Sequence, residues 1–461
     1  MLSLSRRVAL ATLGLVTAIL PVSACDDSTT TPATPTTTTP DAGEVPSRCA
    51  TPSGPGTTHA AAPTGNETWS AADSPHRITA AITIAAGTTL TLEPCAVVTI
   101  APSVGVLVQG KLVAEGAADT PITIGPEDPA KGFTTIEARK GAEVRFSYVT
   151  VEGGGDPNGG RLTQAAMLDI RGDQDLAPQP IFRADHVTLK GSKSLGIWLR
   201  EGGAFAPGST DLRVTGGASF PMQVWGRAVG TVPSGTYTGN AIDEIHLPAN
   251  GGRDDIQEDT TMRARGVPYR IGGSEGGVSF RVQGPSTPAL TIEPGVTLRF
   301  AKDARLVVDT STTNDPATGA LVAQGTADAP IVFTSAAATP AAGDWVGIVF
   351  GRRPDPRSKI SNAKVQYAGG PSQASSFDCP SPGVPGFGSE GAVLVLGGKP
   401  SSAFVTNTTI DTSASAGIVR GWTGDPIDFL ATNTFTNVAR CNETFPRPSV
   451  GVCPDPAPCP K

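Results

Sequence analysis

The chain has 461 residues, with 55 Gly and 42 Pro but only 4 Tyr and 4 Met; aromatics make up 5% and charged residues 17%. Its net charge is −7 (35 basic against 42 acidic residues) and no basic stripe is visible, which argues against a nucleic-acid partner. A chain short of long helix-formers and rich in Val, Ile, Thr, Gly and Pro reads as many short strands joined by tight turns.

The N-terminus reads as an export signal. MLSLSRR, with Arg6 and Arg7, is a basic start, and VALATLGLVTAIL is an apolar run too short for a comfortable spanning helix. Ser5-Arg6-Arg7-Val8-Ala9-Leu10 also resembles a twin-arginine signal, with Ala9 where a bulkier residue is usual. Val22-Ser23-Ala24-Cys25 looks like a bacterial lipobox, in which small residues admit the peptidase and the Cys25 thiol carries the lipid. The competing reading is ordinary cleavage near Ala24. Residues 1–24 are therefore taken as a lipoprotein signal peptide. Residues 25–65 begin with a Thr/Pro/Ala tract that cannot bury a core and read as an extended tether. Lipid, tether and folded body in this order predict an exported lipoprotein, membrane-anchored and placed at the outer membrane or cell surface.

The folded body holds one unit written twice, in modules spanning 66–250 and 251–445. LTLEPCAVVTIAPSV (90–104) answers LTIEPGVTLRFAKDA (290–304), and GKLVAEGAADTPI (110–122) answers GALVAQGTADAPI (319–331). SPHRI (74–78) answers VPYRI (267–271), AMLDIRG (166–172) answers AVLVLGG (392–398), and SKSLGIWL (192–199) answers SASAGIVR (413–420). The join runs through NGGRDDIQEDTT (250–261). Within each copy, short apolar-rich runs recur at spacings of mostly six to twelve residues. A β-sandwich would need hairpin turns such as Asn-Gly between paired strands, and these are scarce. A parallel β-helix needs three short strands per coil, small residues at the bends and inward aliphatics stacked coil on coil.

These segments resemble the repeat of right-handed parallel β-helix proteins with the pectate-lyase-like fold, and more narrowly the exported β-helix lipoproteins abundant in myxobacteria. The second module carries each piece of the pattern: LTIEPGV, GALVAQGT, PIVFTS, GDWVGI and VQYAGG. The first departs from it, with Cys95 in place of the Gly and FTTIEA (133–138) in place of the Trp-containing turn. The resemblance covers residues 66–460 and specifies a fold: all-β, a right-handed parallel β-helix of two tandem homologous modules. It specifies function poorly.

Seven cysteines less Cys25 leave six, an even number that fits disulfides in an oxidising compartment. The expected pairing is Cys49–Cys95, Cys379–Cys441 and Cys453–Cys459, the last lying in a Pro/Cys-rich tail over 446–461. None has the close CxxC spacing of a zinc site.

The resemblance implies two kinds of chemistry to look for: lyases with a calcium-binding acidic cluster and an Arg or Lys base, and hydrolases with paired carboxylates. The hydrolase pattern of Asn-Thr-Asp, Asp-Asp, Gly-His-Gly and Arg-Ile-Lys is absent. Asp254, Asp255, Glu258 and Asp259 form the densest acidic cluster, beside Arg253, Arg263 and Arg265; it offers oxygen ligands for Ca²⁺, but its spacing matches no known calcium loop and reads better as a solvated linker. Asp185 and His186 form an Asp-His step in a strand, an acid or base in one reading and a polar pair at a coil bend in the other. Asp169, Asp173 and Asp175 either line a sugar groove or sit in a turn. Arg171-Gly172-Asp173 reads as a coincidental tripeptide.

For stacking on sugar, Trp225 and Trp422 are the freest candidates, while Trp345 reads as packing and Trp198 as filling a coil. The expected function is a non-catalytic, lipid-anchored scaffold, adhesion or glycan-binding protein with no required cofactor. Its partners would be a membrane, and polysaccharide or other surface proteins. The alternative is a polysaccharide lyase or glycoside hydrolase acting on acidic polysaccharide. Function is expected where the two copies differ.

Overall fold

The computed structural model describes residues 46–159, 165–173, 178–249, 251–252, 254–273, 276–380, 389–455 and 459–461. The lipobox, Cys25, Arg253 and Asp175 lie outside these residues. The described chain is a parallel β-helix. Every ladder between its named strands is parallel, because each strand returns beside its predecessor only after the chain has crossed the other faces of the coil.

Alternation sets the two sides of each wall. In strand Ile82–Ile84 and its successors the odd positions point inward. One inward column runs Ile82, Val106, Ile136, Leu168, Ile197, Met222 and Ile245, each paired with the next. All seven are buried. Full burial of such a side chain stabilises by roughly 1.5–3 kcal/mol, so the column holds coil to coil along the axis. The bore is not purely aliphatic, however. Phe146, Phe182 and Phe205 stack within it, the first two edge-to-face at 5.6 Å.

Segments matched in sequence occupy matching ladder positions. Leu90 pairs with Leu112, and Leu290 pairs with Leu321, which places both copies of the repeated Leu-Val-Ala phrase inside the same kind of strand. One alignment needs correction. Ile197 pairs with Leu168 and Ile418 with Val393, so Asp169 corresponds to Leu394 and not to Val395. Cys95 has φ 68° and Gly295 φ 81°, so Cys95 keeps the left-handed bend that the glycine serves in the second copy.

A thirteen-stranded sheet runs unbroken from Ile82–Ile84 to Thr434–Thr436, through both copies. Its path is informative. Ile245–Leu247 pairs directly with Tyr269–Ile271. Tyr269–Ile271 answers His76–Ile78, yet His76–Ile78 lies in the twelve-stranded sheet. The second copy is therefore turned by one face about the helix axis. Two five-stranded sheets complete the second copy.

The join is not a solvated linker. Asp254 and Asp255 are each 3% exposed. Asp254 accepts from the Gly226 amide, and Asp255 accepts from the Gln283 side chain at 3.0 Å. Burial pushes the Asp255 carboxyl above the ordinary range. Glu258 and Asp259 point to solvent. At this join the twelve-stranded sheet stops, and two arginines reach back to the carbonyls of the short helix Gly226–Thr231 and its C-cap Val232. Arg263 donates to Gly230 O, and Arg265 donates to Val232 O from Nε at 3.0 Å and Nη2 at 2.7 Å. Arg265→Met is expected to lower the unfolding free energy by about 1–3 kcal/mol, read as a shift in denaturant midpoint, because the buried Val232 carbonyl loses both donors.

The chain joins the ladder earlier than residue 66. Thr57–His59 pairs with His76–Ile78, and Cys49 is bonded to Cys95 as expected. The other two pairings differ from expectation and are Cys379–Cys453 and Cys441–Cys459. The cause is the return of the tail across the second copy. The Cys379 amide donates to Phe445 O, and Asn442 donates to Pro460 O. This return brings Cys453 to Cys379 and leaves Cys441 beside Cys459.

Candidate functional site

Outward side chains on a parallel ladder form rows along the helix axis, about 4.8 Å apart. In the first copy one row reads Thr83, Leu107, Glu137, Asp169, Trp198. The matching row of the second copy reads Arg281, Val307, Val349, Leu394, Val419. The same positions are thus polar and aromatic in one copy and largely apolar in the other. In the second copy the row is roofed: Leu394, Leu396, Ala416 and Val419 are buried with Val349, Ala374 and Phe377 packed on them. Of the roof, Ala374 and Phe377 come from the chain just before Cys379, which is pinned by Cys379–Cys453.

The first copy keeps a groove of about 410 Å³ at the matching row. Its floor is Thr83, Leu107, Glu137 and Asp169; Thr134, Thr135, Asp156 and Pro157 line its edge, where the Asp156 amide donates to Phe133 O. Arg139 Nε donates to Glu137 Oε1 at 2.7 Å. Arg200 grips Asp169 with both arms, at 2.9 and 2.7 Å. Burial pushes the Asp169 carboxyl above its ordinary range even against the pull of Arg200. Burial also weighs against the Arg200 charge, but the hydrogen bonds it donates to Asp169 and the charge of that carboxylate outweigh it and hold the guanidinium above its usual value. The same guanidinium lies 4.5 Å from the Trp198 ring centre, a cation–π contact.

Thr134 Oγ1 and Thr135 Oγ1, on groove-lining residues, and Trp198 Nε1, next to Asp169 in the outward row but outside the lining, are buried without a hydrogen-bond partner. Buried polar groups in native proteins are nearly always paired, which sets these three apart.

The structure brings only Asp169 of the expected candidates into this groove. Trp422 is 1% exposed, with its indole N–H on Asp425 O at 3.1 Å, so it is packing and not a free platform. Trp225 is half-buried at the start of the short helix Gly226–Thr231. Trp345 is stacked on Phe300 at 4.1 Å and packs, as its position implied. Trp198 does not fill a coil; it faces outward. Asp185 and His186 sit on another face, at a bend where Tyr148, His186 and Asp211 share left-handed φ values of 50°, 52° and 48°. His186 lies 2.7 Å from Asp185 and 3.5 Å from Asp211, with its ring on Tyr148 at 4.5 Å. Its second-copy counterpart is Asn407, at φ 48°. Asp173 pairs with Lys140, outside the groove lining. Among the described residues no group of three or more His, Cys, Asp or Glu is placed to hold a metal ion, and Asp254, Asp255, Glu258 and Asp259 do not converge.

Glu137, Asp156 and Arg200 were not singled out from the sequence. For Glu137 and Asp169 a signal was present in strand alternation combined with the copy comparison, which sets them opposite Val349 and Leu394; Asp156 lies outside the strands and carries no such signal.

Residues 276–375 match the family model described as a pectate-lyase like beta helix domain. No curated protein and no solved structure matches the chain.

Proposed function

We propose, for a chain that carries a pectate-lyase-like β-helix domain over residues 276–375, an exported, lipid-anchored surface protein whose first-copy groove binds polysaccharide without cleaving it. The observation that carries this reading is an open, polar groove of about 410 Å³ floored by Thr83, Glu137 and Asp169 and edged by Thr134, Thr135 and Asp156, at a row that the second copy fills with apolar residues. A sugar chain offers hydroxyls to this lining, and half-buried Trp198, next to Asp169 in the outward row, extends the surface with an aromatic ring for its C–H faces. Binding without cleavage is supported by the commitments of two of the three groove carboxylates. Asp169 is held by both arms of Arg200 with its side chain 5% exposed, and Glu137 is held by Arg139. A general acid or nucleophile must reach the scissile bond, and neither carboxylate does so without breaking its ion pair.

One observation favours catalysis instead. Glu137, Asp156 and Asp169 line one groove with Arg139, and Asp169 has a raised pKa. A panel of polysaccharides assayed for both binding and product release separates the two. Binding without new reducing ends or unsaturated products supports the proposal, and turnover overturns its non-catalytic part. Trp198→Ala is expected to weaken binding by at least about tenfold, measured by calorimetry, with unchanged far-UV circular dichroism.

A further inference from the structure

Charge on the groove face is distributed unevenly. Arg139 is taken by Glu137, Arg200 by Asp169, Arg171 by Glu201 and Lys140 by Asp173. Every one of these cations already has a carboxylate. Asp156 has no cation among the described residues. It is 8% exposed and lines the groove. Its Oδ1 accepts from the Asn158 amide at 3.0 Å and from the Asn158 side chain at 3.1 Å. Its Oδ2 has no hydrogen-bond partner among the described residues.

We infer that the groove selects an amino-bearing glycan, with Asp156 as counter-ion to the sugar ammonium, and rejects uronate chains. This rests on the glycan-binding reading above and narrows it. A carboxylate that is largely withdrawn from water and lacks a cation is costly, and an ammonium brought into the groove offsets that cost through a charge-assisted hydrogen bond to Oδ2. A uronate meets the opposite situation. It finds each nearby guanidinium already committed and faces Asp156 as a like charge. Thr134 and Thr135 supply neutral contacts to hydroxyls and do not discriminate by charge.

The test uses the mature chain, a glucosamine polymer, a neutral glucan and a polygalacturonate, with Asp156→Asn beside the parent. Asn keeps an oxygen to accept from the Asn158 amide, so the local turn is retained. The glucosamine polymer is expected to bind the parent at least about tenfold more tightly than the glucan, with the margin shrinking as salt is raised. Asp156→Asn is expected to remove that margin with the thermal midpoint unchanged. Equal binding of both polymers by the parent, or preference for polygalacturonate, overturns the amino-sugar inference and leaves glycan binding standing. No binding to any of the three overturns the glycan reading itself. An Asp156→Asn variant that loses glucan binding as well would show a structural role for Asp156 and overturn the counter-ion assignment.

Discussion

Glu443→Gln is expected to lower the unfolding free energy by about 3–5 kcal/mol, read as a fall in denaturant midpoint at neutral pH. Arg420 and Glu443 form an ion pair at 3.0 Å with side chains 3% and 4% exposed. Arg420 sits on an inward position of Ala416–Arg420, the ladder equivalent of Leu199, where the first copy has an ordinary apolar filler. It also donates to the carbonyls of Thr444 and Ile427, the latter at 2.9 Å. Glu443 accepts from the Phe429 amide at 2.9 Å and bridges to Ile418 in the last turn of the helix. Burial pushes the Glu443 carboxyl above its ordinary range, yet Arg420 requires the charged form.

Gln keeps the shape and an acceptor for Phe429, so the loss reports the charge. It leaves a guanidinium in the bore with no counter-charge, the costly half of a buried pair. Replacing both partners, Arg420→Met with Glu443→Leu, is expected to recover most of the stability, because Leu199 shows that the position accepts an apolar side chain. A change under about 1 kcal/mol in the single variant would show that the pair does not hold the last coil.

Stability is expected to rise with pH between about 4 and 6.5, with His246 contributing roughly 3 kcal/mol over that window. Burial lowers the His246 pKa from 6.5 to about 4, partly offset by its bond to Gly272 O, with Arg270 lowering it further. The unfolded chain therefore binds a proton in this window and the folded chain does not. The contribution is complete above the unfolded value and is lost as the pH falls through the window. Burial, and not the hydrogen bonds, keeps the ring neutral. Its two nitrogens lie 3.0 Å from the Gln223 side chain and 3.2 Å from Gly272 O, and the ring stacks on Phe220 at 4.7 Å. Both partners are oxygens, Gln223 Oε1 and Gly272 O, so a neutral imidazole donates to one of them, and it satisfies both sites only with the Gln223 amide turned to present its nitrogen to Nδ1. Glu244, beside it in sequence, is already taken by Arg270 and Arg299, so it does not stabilise an imidazolium. His246→Gln should flatten the dependence, measured by chemical denaturation at several pH values. An unchanged slope in the variant would assign the effect to other groups.

Much of the fold was readable from the residues. Alternation of Val, Ile and Leu with polar residues, broken by Gly and Pro, dictates short strands with one buried side, and the doubled phrases dictate repeated coils. Polar residues at alternate positions, such as Glu137 and Asp169, were equally visible. What they build was not, because neighbours in an outward row come from successive coils about thirty residues apart in sequence. Only the ladder register joins Glu137, Asp169 and Trp198 into one surface, and an error of one residue moves a side chain to the other face.

The disulfides show the same division. Cys49 and Cys95 are held close by adjacent first-copy segments, whereas Cys379 and Cys453 meet only because the tail folds back over the second copy. The sequence by itself determined a stacked parallel coil, since hydrophobic burial depends on local alternation that any reader of the chain can follow. Which copy is covered followed only from long-range packing, because Ala374 and Phe377 lie over the second-copy row while the matching first-copy row keeps a groove.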